Sequence, residues 1–380
     1  MPAFERIKRE QVLARFLELV AIDGPSGHER RVADHLLPVF EELDMRVVFD
    51  HADSQVGGDC GNLFAWWKGT NPDAEPIFLS CHMDTVLPTG NLRPVVDDGL
   101  VRSDGNSILG ADDRAALGAY LEGLRAVHES GVRCGPVQII LTVSEQPGML
   151  GARAMDYSLV RAKRGYVYDS SGDVGQLILQ GPFSDRFRIR FRGRKAHLGL
   201  AVEEGINAIA MAANAIVNTT LGRIDAETVV GMGVIRGGEM ASIIPDEVEV
   251  VGEVRSLVED KVREQIDRVA AMAKEAAAAF GGQAEVVIEP KYQGWSIDPA
   301  SEHVRAASRA AEYIGATPYF AETLGGADTN IFVEHGLTCM TLGIGFQKIH
   351  SFDEHISIDN LEAAARHVAA IIEGRTVANQ

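Results

Sequence analysis

The chain has 380 residues, 46% of them apolar, enough for a sizeable core in one large domain or two ordinary ones, and this excludes a disordered chain. Acidic residues number 54 against 36 Lys and Arg, a formal net charge of -18, which argues against a nucleic-acid partner and against an anionic membrane surface. The excess is spread along the chain, as on an ordinary solvated surface. Cys60, Cys81, Cys134 and Cys339 form no C-x-x-C pair, so reduced thiols are expected rather than a disulfide framework or a zinc finger. The charged start MPAFERIKREQ has no apolar core of a secretory signal, and no apolar run has the length of a membrane span. These features together predict a cytoplasmic protein.

In chain order, Leu13, Phe16, Leu17 and Val20 recur at helical spacing, and so do Val32, Leu36, Leu37, Phe40 and Leu43, with Pro38 expected to bend that helix. Short apolar runs at 46–49, 63–67 and 77–81 predict strands. A helix from about Arg114 to His128 then precedes the run 137–143. Strand, helix and strand at this length make a βαβ unit and imply a parallel sheet. Gly165–Tyr168 is a further short strand. The pattern changes near Gly181-Pro182: residues 185–192 alternate with period two, as an antiparallel strand with one wet face does, and are expected to offer an edge for pairing. Helices near 206–217 and 259–280 and strands near 229–235, 248–254 and 284–288 complete an α+β module. After Tyr292 the α/β character resumes and ends in a helix over 361–372. The expected architecture is an α/β domain with a mostly parallel sheet flanked by helices (1–181 and 292–380), interrupted by an inserted α+β lid and dimerisation domain (182–291).

The candidate chemistry follows from where residues fall on these elements. His82 follows the strand 77–81, Glu145 follows 137–143, and Asp169 follows 165–168. In parallel α/β sheets ligands bind beyond the carboxyl ends of the strands, so these residues converge on one edge, with Asp112 at a helix N-terminus beside them. Histidine and carboxylate donors suit zinc, manganese or cobalt. Taken singly, each residue has a plainer reading, such as a helix cap for Asp112 or a turn residue for Asp169. Jointly, on one sheet edge, they point to a metal site. A dinucleotide-dependent dehydrogenase is disfavoured because no G-x-G-x-x-G follows the first strand.

The stretches SCHMDTVLP, SDGNSILGADDRAALGA, TVSEQPGMLGA, YDSSGDVG, GRKAHLG, EEGINAI, RGGEMASIIPD, GEVRS, GGADTN and IHSFDEHI run in order from about residue 80 to 358. As an ordered set they resemble the metallopeptidase family of peptidase T, glutamate carboxypeptidase, aminoacylase and succinyl-diaminopimelate desuccinylase, and most closely its peptidase T-like, tripeptide aminopeptidase branch. The resemblance implies two divalent metal ions, zinc by default with manganese or cobalt as alternatives. His82 and Asp169 would bind one, His350 and residue 146 the other, and Asp112 would bridge them. Asp84 would orient the His82 imidazole, and Glu145 would act as general base on water. Glu354 would support His350. In the inserted module, His197 would reach an active site across a homodimer interface to help hold the oxyanion, Arg255 would bind substrate carboxylate, and Ser242 would line the substrate site. The loop Gly325–Asp328 would lie near that site, with Asp328 contacting substrate.

Two positions depart from the family pattern. Gln146 stands where most members have a second glutamate, so one metal is expected to be held more weakly, and Ser242 stands where many have a substrate-binding asparagine. The implied activity is hydrolysis of short peptides by an aminopeptidase. A carboxypeptidase or N-acyl amino acid amidohydrolase of the same fold is the alternative within the class, and a catalytically weak peptide- or metal-binding homologue is the alternative outside it.

Overall fold

The structure, a computed structural model, describes residues 1–374. The chain divides into two compact units: Met1–Leu179 with Ile297–Glu322 and the chain from Ala327 onward, and Gln180–Ser296 with Thr323–Gly326.

The first unit is built on a sheet whose strands run in the order 46–49, 63–67, 137–142, 77–82, 164–170, 338–343, 176–181. The four central strands, Val137–Thr142, Ile77–His82, Arg164–Ser170 and Thr338–Gly343, are parallel to one another. Strands 46–49 and 63–67 extend the sheet antiparallel. All six residues of Ile77–His82 and of Val137–Thr142 are buried, which is why they read as continuous apolar runs rather than alternating ones. The connection between these two strands carries a short hairpin, Val95–Asp97 with Leu100–Arg102, and then the helix Ala111–Ser130, also buried over most of its surface. This helix packs against the helices Arg9–Val20 and Ile358–Gly374. Close approach to the last of these depends on Gly123, where a Cβ would lie 2.6 Å from Val368 Cγ1. Pro38 is accommodated inside the helix Arg30–Glu42. All four cysteines are free and buried, as reduced thiols. Among the described residues no helix is long and apolar enough to cross a membrane.

The second unit is a five-stranded antiparallel sheet in the order 222–223, 228–237, 247–256, 183–192, 283–292. Helices Ala208–Asn218 and Glu259–Ala279 pack on each other and on this sheet. The alternating residues Phe187, Ile189 and Phe191 meet Met211, Val250, Val262 and Ile266 in a separate core. One expectation fails here. The strand around 185–192 offers no free edge, because Phe183–Arg192 is paired on one side with Glu247–Ser256 and on the other with Gln283–Tyr292. Period-two alternation reports that one face is wet. It carries no information on which edges are covered, since that depends on strands distant in sequence.

A buried histidine in the first unit makes its stability pH-dependent. His367 is fully buried, and its Nε2–H donates to the Ala307 carbonyl at 3.0 Å, which leaves Nδ1 to accept from the Tyr168 hydroxyl at 2.9 Å. Burial lowers its pKa from 6.5 to about 4. The unfolded chain therefore binds this proton more readily than the folded one. The associated stability is intact above pH 6.5 and is lost progressively as the pH falls towards 4, by up to about 3 kcal/mol. Thermal melts of the native protein and of His367→Gln between pH 7.5 and 4.5 should show a shallower acid-side fall for the variant. Parallel curves for the two proteins would contradict this assignment.

Candidate metal centre

Parallel strands carry their side chains to a common edge. His82 is the last residue of its strand, and Thr142, its register partner, ends the neighbouring one. Asp169 falls where the pairing of Arg164–Ser170 with Thr338–Gly343 slips by one residue, between the pairs Tyr168–Leu342 and Ser170–Gly343. A bulge of this kind re-aims a side chain. Asp112 comes from the turn that starts the helix Ala111–Ser130, in which Asp112 and Asp113 have non-helical backbone angles. The preceding Gly110 has φ of 74°, and a Cβ there would meet Thr85 and Thr89 at 3.1 and 3.3 Å, so glycine fits this corner best.

The two imidazoles take opposite oxygens of the Asp112 carboxylate. His82 Nε2 lies 3.0 Å from Oδ1 and His350 Nε2 lies 3.0 Å from Oδ2. Gln146 Nε2 donates to the same Oδ2 at 3.0 Å. His82, Asp112 and Asp169 each offer a ligand atom, and these lie within 4.8 Å of one another. His350 reaches the cluster from a loop in which its own φ is 62°, a left-handed conformation that costs a non-glycine residue of order 1 kcal/mol and persists only where neighbours enforce it. Ser144, just before Glu145, has φ of 48°.

Asp84 organises this edge. His82 Nδ1 bonds the Asp84 backbone carbonyl at 2.9 Å and lies 3.4 Å from its carboxylate. That carboxylate also accepts the backbone N–H groups of Glu145 at 2.9 Å and Gln146 at 3.2 Å, and the Ser26 hydroxyl at 2.5 Å. One buried side chain thus ties the His82 strand to the loop that bears Glu145. Glu354 acts through the backbone: it accepts the N–H groups of Gly110 at 2.8 Å and Asp112 at 3.1 Å and so fixes the turn, while the His350 ring bonds Asp112.

The charges are unequal. Burial disfavours ionisation of Asp112, but the bonds from His350 and His82 outweigh it and hold the carboxyl below its usual range. Burial likewise opposes ionisation of Asp84, and contacts with His82, Ser26 and the Glu145 N–H reverse the sign. Glu145 is pushed well above the ordinary range by burial and by the Asp169 and Asp328 carboxylates, against the attraction of His82. Burial and Asp112 raise Asp169 in the same way. An uncompensated group of buried carboxylates of this kind is what a divalent cation neutralises, and the nitrogen and oxygen donor set fits zinc, manganese or cobalt.

The remaining predicted residues are distributed between the units. Asp328 begins a helix of the first unit, is buried, and accepts from the Thr142 hydroxyl at 2.5 Å. Burial raises its carboxyl to about 6. His197 and Ser242 are neighbours within the second unit, where the ribbon pairing of 196–197 with 243–244 is extended by a bond from Leu198 N–H to the Ser242 carbonyl. Arg255 Nε donates to Glu253 at 2.7 Å and Nη1 to the Leu324 carbonyl at 3.1 Å. Sequence reasoning passed over Ser26 and Glu29. Glu29 is fully buried, and its Oε1 accepts the Ser144 N–H at 2.9 Å. Glu29 lies in the polar stretch GPSGHER, which carries no periodic signal.

A parallel sheet edge with two histidines on a shared buried carboxylate, and a raised glutamate on the adjoining loop, defines a metal-dependent hydrolase. Residues 78–374 match Peptidase family M20/M25/M40, and the chain belongs to that family. Its sequence is 38% identical to that of the Bacillus subtilis protein YqjE over 97% of this chain and 99% of the other. It is similar in structure to the aminopeptidase PepT of Bacillus cereus (35% identity, TM-score 0.87, 97% of this chain and 99% of that one). It is also similar to a tripeptidase of Staphylococcus aureus (34% identity, TM-score 0.91, 98% and 100%). These likenesses put it on the peptidase T-like branch, among the metal-dependent peptidases.

Proposed function

We propose that the protein is an aminopeptidase acting on short peptides, tripeptides above all, with a pair of divalent cations at the Asp112 cluster. The observation that supports this most directly is the Asp112 carboxylate taken on its two oxygens by His82 and His350, each at 3.0 Å. In this reading His82, Asp169 and Asp112 would hold one cation, and His350, Gln146 and Asp112 the other. When bound, such cations supply Lewis-acid polarisation of the scissile carbonyl and lower the pKa of water towards neutrality. Asp84 keeps the His82 ring oriented and holds the Glu145 backbone in place. Glu145 is the general base: its carboxylate takes a proton from the attacking water and gives it to the departing amine. In the second unit, Arg255 is the candidate receptor of a substrate carboxylate and Ser242 a candidate substrate contact. Asp328 contributes from the first unit.

Product analysis tests the activity. Metal-loaded protein offered tripeptides, dipeptides, N-acylated amino acids and N-blocked peptides should release the N-terminal residue of free tripeptides. Release only from blocked or acylated substrates would favour the carboxypeptidase or amidohydrolase reading. Glu145→Ala should lower kcat by ~10²–10⁴-fold with metal content unchanged. Near-normal turnover would remove Glu145 from the mechanism.

Gln146 brings a neutral amide where a carboxylate would bring charge, and its Nε2 donates to Asp112. The cation on the His350 side is therefore held less tightly than its neighbour. Metal analysis after exhaustive dialysis should give a stoichiometry near one at this cluster, counted as the metal that Asp112→Asn fails to retain, restored towards two by Gln146→Glu. Two equivalents of zinc retained at this cluster by the native protein would overturn this.

The protein functions as a homodimer in which His197 serves the partner's site. Exposed Leu198, Leu200 and Val202 beside His197 supply an apolar surface suited to such an interface. Light scattering should report a dimer, and a monomer with full activity would contradict both the assembly and the role of His197.

A further inference from the structure

A second group of metal-ligating side chains lies in the first unit and shares no residue with the Asp112 cluster. Glu29, Asp59 and Cys60 each offer one ligand atom, and these atoms lie within 4.8 Å of one another. Two loops distant in sequence build the group, and their backbones hold it. Gly27 N–H and Ser144 N–H, each at 2.9 Å, occupy Glu29 Oε1, and Arg30 N–H at 2.9 Å occupies Asp59 Oδ1. Asp59 N–H in turn bonds the Gly27 carbonyl at 3.1 Å. These bonds leave the second oxygen of each carboxylate for the cluster. Glu29 is fully buried, and its Oε2 has no hydrogen-bond partner among the described residues. A buried carboxylate oxygen without a donor is costly, and a cation is the usual remedy. At the margin, His28 Nδ1 lies 3.9 Å from Asp59 Oδ2.

We propose that Glu29, Asp59 and Cys60 form a separate binding site for a transition-metal dication of the zinc class, with the fourth position taken by His28 or water. A thiol among oxygen donors selects zinc, cobalt or a similar borderline ion over magnesium or calcium. Burial and the Glu29 charge push the free Cys60 thiol up to about 12. Metal binding forms the sulfur–metal bond and releases the thiol proton to solvent. Occupancy is transmitted to the catalytic loop through the contact of Glu29 with Ser144. The Glu29 carboxylate that gives Oε2 to the cation takes the N–H of Ser144 on Oε1, and Ser144 precedes Glu145. The site is thus a structural support for the loop bearing that glutamate.

The experiment reads the sulfur directly. The full chain, stripped with a chelator, is titrated with Co²⁺ and followed by near-ultraviolet absorption, where a thiolate–cobalt charge-transfer band develops. None of the residues in the Asp112 cluster carries sulfur. The expected result is such a band, growing to the intensity of one thiolate-bound Co²⁺ per chain. It should be lost in Cys60→Ser, together with one equivalent of bound metal and with an unchanged circular dichroism spectrum. It should be kept in Cys81→Ser, and kept in Asp112→Asn, which disables the other centre. Glu29→Gln should weaken the band's titration at least tenfold. Absence of the band in the native chain, or its persistence in Cys60→Ser, would overturn the proposal whether or not the protein cleaves peptides.

Discussion

Everything at the functional edge depends on keeping one buried carboxylate charged. Asp112 is removed from water, and a lone carboxylate there would neutralise itself by taking up a proton. Two imidazole nitrogens at 3.0 Å reverse that preference. The fold has to deliver those imidazoles from a strand end and from a loop more than two hundred residues later in the chain. It does so with parallel strands that present His82 and Asp169 at one edge, a glycine corner that turns the chain into Asp112, and Glu354 bonded to the amides of that corner.

Asp84 carries the same logic outward. A single carboxylate accepts two consecutive amides of the 145–146 loop while its residue also orients His82. The positions of His82 and Glu145 are thereby set by the same side chain. Glu29 holds the amide just before them, on Ser144, so that three consecutive backbone N–H groups of this loop are each taken by a buried carboxylate. The left-handed backbone at Ser144 is sustained by this set of bonds. These bonds fix the backbone on which Glu145 is carried.

The second unit is organised by a different rule. Its sheet is antiparallel, its core is its own, and helices Ala208–Asn218 and Glu259–Ala279 share that core. Its polar residues of interest are solvated or ion-paired at strand ends and on a short ribbon, as with Arg255 against Glu253 and His197 beside Ser242. A module with its own core can be inserted into a chain without disturbing the sheet that carries His82 and Asp169.

The sequence by itself determined the elements and much of the site. Continuous apolar runs at 77–81 and 137–143 identified buried parallel strands, the alternation at 185–192 identified an antiparallel one, and the ordered motifs singled out His82, Asp112, Asp169 and His350 as residues to be brought together. These signals are local, because side-chain periodicity follows from backbone geometry within a single element. Tertiary structure alone decided which strand edges are covered, that Glu354 bonds the Asp112 turn, that Asp169 sits on a bulge, and that Glu29 meets both Cys60 and the amide of Ser144. Those facts concern polar groups in irregular segments. Their partners are fixed by burial and by chain crossings far away in sequence, and nothing in the spacing of neighbouring residues encodes them.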